Sequence, residues 1–166
     1  MARGLGTLIL VVFLFQGITF ASGLGPVIGW FTRTQHILWG LLTAFLLLFT
    51  HTATMFYLIG RGKYVKEVTQ ELSLGGEFIE RTREIKRMFF PWATYSIVVT
   101  IGVTTAGGIA AVWSGWHLFH GILAGIGVGL NSFTLWRGLM GIGHDLALGA
   151  EMEALDGKDG RTPAEG

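Results

Sequence analysis

Charged side chains occur in blocks along this chain, separated by long stretches that have none. Residues 4–32, 34–60 and 88–136 contain no Asp, Glu, Lys or Arg, and apolar side chains fill most of each run. About 20 consecutive apolar residues cross the hydrocarbon core of a bilayer as a helix. The third run is 49 residues long, enough for two crossings. Val112-Trp113-Ser114-Gly115-Trp116 divides it, because Ser-Gly supplies a turn and the paired Trp suit the headgroup level. The pattern predicts an all-α fold, an integral membrane four-helix bundle, with helices over about 5–26, 34–60, 89–112 and 116–138, the last free to run on past the membrane.

Composition supports this reading. The chain has 166 residues, 51% of them hydrophobic, and 26 glycines. Its mean hydropathy is +0.55, above the range of soluble domains of this size. The net charge of +1 says little, but its placement says more. Arg61, Lys63, Lys66, Arg81, Arg83, Lys86 and Arg87 all fall between the second and third helices. By the positive-inside rule that connection and both termini are cytoplasmic, which predicts a multi-pass protein of a bacterial inner membrane. Cysteine is absent, which excludes disulfides, thiolate metal sites and cysteine nucleophiles.

The N-terminus allows an alternative. Met1-Ala2-Arg3, the apolar stretch Leu8 to Phe20 and the small residues Ala21-Ser22-Gly23 have the three parts of a cleaved signal peptide. Apolar character continues through Leu24, Val27, Ile28 and Trp30, which favours a retained helix with Pro26 and Gly29 at its outer end.

Within the connection 61–88, Val65, Val68 and Leu72 recur at helical spacing among charged residues, Gly75-Gly76 interrupts, and Phe78, Ile85 and Phe89 resume the pattern. Two amphipathic helices on the membrane surface account for this, tying the helix ends to lipid or docking a partner subunit. Residues 1–150 form one domain, and 151–166, ending in DGKDGRTPAEG, read as a disordered cytoplasmic tail. The partners expected are the bilayer and protein subunits, with a quinone as a small-molecule candidate, and not nucleic acid. There is no nucleophile motif and no phosphate-binding glycine loop.

The intramembrane polar residues sort by depth. With a rise of about 1.5 Å per residue, His51 of the second helix and Asn131 of the fourth lie at one level, and Tyr95 and Ser96 of the third share it. Lipid-facing histidine is unfavourable, so His51 should turn inward and meet Asn131, either for packing or as a quinone or proton contact. At the outer end His36 opens the second helix and His117 and His120 the fourth. These three imidazoles would converge if the helices are neighbours. They are candidates for an axial haem pair, for a Cu or Zn site built from all three, or for interfacial side chains without a ligand. Gly121, Gly125 and Gly129 form a stripe that lets a helix or a flat cofactor approach, and Gly107-Gly108 could serve the same contact.

His36 and His51 are 15 residues apart and His117 and Asn131 are 14 apart. That spacing, with the glycine stripe, resembles the cytochrome b type of membrane haem protein. The resemblance implies one b-type haem near the outer face, between His36 and either His117 or His120 with Gly121 beside the ring, in a membrane subunit of a respiratory-type complex. Asn131 is not a usual axial ligand, so it implies no second bis-histidine haem. The run from His51 to Tyr57, the basic segment from Lys86 to Pro91 and Gly107-Gly108 also resemble small bacterial inner-membrane proteins of unassigned function. That likeness implies the four-helix fold and no activity. The alternative is a structural or assembly protein without a cofactor, docking its partner through the cytoplasmic connection.

Overall fold

The structure, a computed structural model, describes residues 1–28 and 30–158. It is all-α, with no strand among the described residues: α1 (Ala2–Ile28), α2 (Arg33–Glu71), α3 (Glu77–Val112) and α4 (His117–Lys158), with a 3-10 turn at Ser114–Trp116 before α4. All four helices are long and apolar enough to cross a membrane.

Local chemistry sets the boundaries. α2 starts at a capping box: Thr32 Oγ1 accepts from the Gln35 amide (3.2 Å), and Gln35 Oε1 accepts from the Thr32 amide (2.8 Å). It ends where Ser73 takes the left-handed conformation, φ 52°. The Leu74 amide then reaches back to the Thr69 carbonyl and the Ser73 amide to the Gln70 carbonyl, the paired bonds of a Schellman cap. Glu77 and Glu80 in the first turn of α3 suit the positive end of its dipole. Pro91 lies inside α3 and removes an amide from the ladder. On the same turn Arg137 Nε of α4 donates to the Met88 carbonyl at 3.2 Å.

The helices are packed in the cyclic order α1, α2, α3, α4. α2 and α4 also meet across the diagonal, whereas among the described residues the backbones of α1 and α3 stay apart. Short connections between long helices make the bundle antiparallel. One end, the histidine end, holds His36 and His120. The other, the basic end, holds Met1 and the α2–α3 turn. α1 has 27 residues against 39, 36 and 42 for α2, α3 and α4, so three helices continue beyond it at the basic end.

That continuation corrects several expected boundaries. The segment 61–88 is the end of α2, a tight turn and the start of α3, not two helices lying on a surface. α4 runs to Lys158, so the tail does not begin at 151; residues 159–166, like Gly29, lie outside the described residues. A charge-free run marks where lipid contact could end. It does not mark where helix ends, and Lys63 to Glu71 contains no breaker. Val65 and Phe78 pack instead with Leu148 and Met152 in a small core of their own.

The main apolar core lies toward the basic end and joins Leu5, Ile9 and Val12 with Leu47, Leu58, Phe89, Leu135 and Ile142. Elsewhere the usual distribution is inverted. Leu38, Phe45, Phe56 and Val98 are all more than 60% exposed. Gln16, Ser22, Thr43, Thr50, His51, Thr54, Ser96, Thr100, Asn131 and Thr134 are buried.

Ser73→Gly should raise stability by about 0.5 to 1 kcal/mol, because glycine removes the Cβ penalty of the left-handed position. Denaturant unfolding in detergent micelles measures this, and an unchanged or lower midpoint contradicts it.

Candidate functional site

At the histidine end, His36 stands one turn inside α2 and His120 in the first turn of α4, after the 3-10 turn. Their ring centres are 6.2 Å apart with the rings edge to face. Each imidazole enters a hollow left by a glycine on a third helix. A Cβ on Gly107 of α3 would lie 2.9 Å from His120 Cε1, and one on Gly23 of α1 3.2 Å from His36 Cε1. Ser22 Oγ donates to the Thr19 carbonyl at 2.7 Å and lies 3.0 Å from His36 Nδ1. Its single proton is used on the carbonyl, so His36 donates from Nδ1 and keeps a lone pair on Nε2, the tautomer of a metal-ligating histidine held by an outer hydrogen bond. His120 Nδ1 is buried without a hydrogen-bond partner among the described residues.

His117 does not join this pair. It is exposed, and among the described residues no three His, Asp or Glu side chains are grouped to hold a metal ion. His120 is 11 residues before Asn131, within about 20° of its face, whereas His117 is turned about 60° from His120. Gly121 lies on the outer surface with nothing within 4 Å of the Cβ position, as do Gly125 and Gly129. The glycine that admits the imidazole is Gly107, on α3.

The middle layer brings three helices together. His51, 1% exposed, places Nε2 2.8 Å from Asn131 Oδ1. Asn131 Nδ2 donates to the Gly127 carbonyl (2.8 Å) and to Thr100 Oγ1 (3.1 Å). The carbonyl can only accept, so the amide orientation is set and Oδ1 faces His51. His51 therefore carries its proton on Nε2, with its lone pair on Nδ1. Tyr95 does not belong to this layer. It is 60% exposed, because its neighbour Ser96 points inward to Thr134 Oγ1 (2.7 Å) and adjacent helical residues diverge by about 100°. α1 contributes Gln16, whose Nε2 donates to Ser132 Oγ and the Val128 carbonyl, and Thr19, whose hydroxyl pairs with Thr43 at 2.6 Å.

Sequence reasoning missed the third layer. Asp145, 1% exposed, accepts from Tyr57 OH at 2.6 Å and from Arg61 Nε at 2.8 and 3.1 Å. Arg61 covers the Tyr64 ring, and its Nη2 lies 2.8 Å from where a Cβ on Gly149 would stand. A signal was present. Asp145 follows Asn131 by 14 residues, and Tyr57 and Arg61 continue the stripe of α2 that carries Thr50 and Thr54. Arg61 opens the basic connection and Asp145 stands beside an exposed His144, settings in which charged side chains are ordinarily solvated.

The chain matches no family model, and neither the characterised proteins nor the solved structures include one similar to it.

The layers differ in what substitution should cost. Arg61→Ala leaves a fully buried carboxylate facing only a phenol and should cost about 2 to 4 kcal/mol. Asp145→Asn keeps the Tyr57 contact and leaves a guanidinium whose side chain is 26% exposed, so about 1 to 2 kcal/mol is expected. Unfolding of both variants in micelles measures the difference, and equal costs contradict it. His51→Ala and Asn131→Ala should be non-additive, with a coupling of about 0.5 to 1.5 kcal/mol; strict additivity overturns that pairing.

Proposed function

We propose that the chain is an integral protein of a bacterial inner membrane, with the basic end and both termini cytoplasmic. It acts as a non-catalytic, electron-transfer subunit of a respiratory-type assembly and carries one haem b between His36 and His120. The inverted distribution of polar and apolar side chains supports the membrane setting, since lipid leaves interior polar groups only other protein groups to bond. The cluster of basic residues at one end supports the orientation.

The observation that carries the functional reading is the imidazole pair. Two histidines from the diagonal helices stand with ring centres 6.2 Å apart, so both would hold one iron from different helices. His36 would hold the iron through Nε2 while Ser22 holds Nδ1, and His120 would supply the second imidazole. Gly23 and Gly107 keep the flanking helices close to the rings. Such an iron supplies reversible one-electron chemistry, and its potential is set by burial and by hydrogen bonds to the outer nitrogens.

A second reading, a cofactor-free assembly protein, is favoured by a cleft of about 470 Å³ at the basic end, lined by Arg81, Glu84, Met88 and His144, where a partner subunit could dock.

Protein purified from haem-replete cells should show a Soret band that sharpens and shifts on dithionite reduction. His36→Ala and His120→Ala should each abolish it, and His117→Ala should leave it unchanged. No Soret band in the wild type eliminates the haem reading, and its loss in His117→Ala moves the ligand. A reporter fused at the C-terminus should be active only as a cytoplasmic fusion, and one at Ser114 only as an exported fusion; the opposite pattern reverses the orientation.

A further inference from the structure

The interior carries polar groups at closely spaced levels from the histidine end to the basic end. On α2, His36, Thr43, Thr50, Thr54, Tyr57 and Arg61 fall within a sector of about 60°, with His51 about 60° outside it on the side of Asn131. Two intervals on that stripe span seven residues, about 10 Å each, and α1 fills both. Between His36 and Thr43 stand Ser22 and Thr19, in contact with those two residues. Between Thr43 and Thr50 the α2 position is Leu47, and Gln16 enters from α1 to meet Ser132 beside Asn131.

Interhelical adhesion accounts for only part of this column. Adhesion requires that the hydroxyls pair across helices, yet Thr54 Oγ1 donates to the Thr50 carbonyl of its own helix. Thr50 Oγ1 and Gln16 Oε1 are buried with no partner among the described residues, and both lie within about one turn of His51 in depth. Unpaired buried oxygens of this kind take their hydrogen bonds from internal water. Adhesion also has no need of ionisable groups. Asn131 would bond a glutamine as well as it bonds His51, and Tyr57 and Arg61 would bond an asparagine in place of Asp145. Protonatable groups inside a membrane bundle characteristically mark substrate or ion pathways, proton relays, voltage sensors or ligand counter-ions. No other charged group stands near His51, since residues 4–32, 34–60 and 88–136 contain no Asp, Glu, Lys or Arg. Arg137, six residues beyond Asn131, is turned to the Met88 carbonyl of α3, and Arg61 and Asp145 lie further toward the basic end.

We propose that this column is a proton path through the bundle, with His51 and Asp145 as its two proton-holding stations. The inference rests on the membrane reading and is independent of haem. His51 takes a proton on Nδ1, becomes imidazolium and releases it from the same atom. Toward the basic end Thr54, its hydroxyl turning from the Thr50 carbonyl, and Tyr57 each accept on a lone pair as they give up the proton they hold; Asp145 receives the one that Tyr57 donates and releases it to water at the basic end. Toward the histidine end internal water at Gln16, then the paired hydroxyls of Thr43 and Thr19, carry the step outward. One proton enters and one leaves, with no oxidant or reductant.

The full chain is reconstituted in phospholipid vesicles containing a pH-sensitive dye, and a potassium diffusion potential is imposed with valinomycin. Flotation on a density gradient comes first: failure to float with the vesicles sinks the membrane reading itself. For floating protein, the wild type should acidify the lumen faster than protein-free vesicles. His51→Gln, which keeps a donor for Asn131 but holds no proton, and Asp145→Asn should lose that flux while retaining helical circular dichroism. Tyr95→Phe, on the outer surface, should conduct like the wild type. Wild-type flux at the protein-free baseline, or a folded His51→Gln that conducts undiminished, overturns the proposal. Should His51→Gln fail to fold, Thr54→Val gives the same test: its flux should fall, and undiminished flux overturns the path.

Discussion

A polar group inside a bundle whose outside is apolar must find its hydrogen-bond partner inside that bundle. Most features of this structure follow from that constraint. Helix packing in such a setting gains little from burying apolar surface, so contacts form where side chains are small or polar. Ser22 meets His36, Thr19 meets Thr43, Ser96 meets Thr134 and Asn131 meets His51. The diagonal contact between α2 and α4 is made by the pairs His36 with His120, His51 with Asn131, and Tyr57 and Arg61 with Asp145. Their spacing fixes the register of the two helices.

The two ends are built differently. At the histidine end glycine does the fitting, since an imidazole can sit against a neighbouring backbone only where no Cβ intervenes. At the basic end α2, α3 and α4 outrun α1, and apolar residues there have three helices to pack among. Val65, Phe78, Leu148 and Met152 form a small soluble-type core, edged by ion pairs such as Arg81 with Glu151 at 2.7 Å. Asp145 and Arg61 lie where the two regimes meet. Their pair is stabilised by good geometry against the cost of desolvating both charges.

Much of this was legible in the sequence. The charge-free runs located four helices because lipid exposure demands apolar side chains, and depth counting put His51 level with Asn131 because helical rise is nearly constant. Azimuth was harder to read. Spacings of 14 and 11 residues both fall near one face, and only the turn at Trp113 to Trp116 decides that His120 faces inward and His117 outward. The glycines at 121, 125 and 129 looked like a contact surface because of their period, yet close approaches occur at Gly23, Gly107, Gly127, Gly138 and Gly149, which lie off that stripe. Asp145 was hidden by its setting. A carboxylate near the end of a hydrophobic run reads as solvated unless the helix is known to continue, and α4 continues to Lys158.

The central claim is that the exposed apolar belt faces lipid and the polar column faces inward. The chain has no cysteine, so single cysteines carrying spin labels can be placed at will. Labels at Phe45, Phe56, Val98 and Ile126 in vesicles should relax strongly with oxygen and weakly with a water-soluble nickel chelate, as lipid-facing sites do, while a label at Lys66 should show the reverse. Strong relaxation by the chelate at the four apolar positions would place them in water and contradict the account.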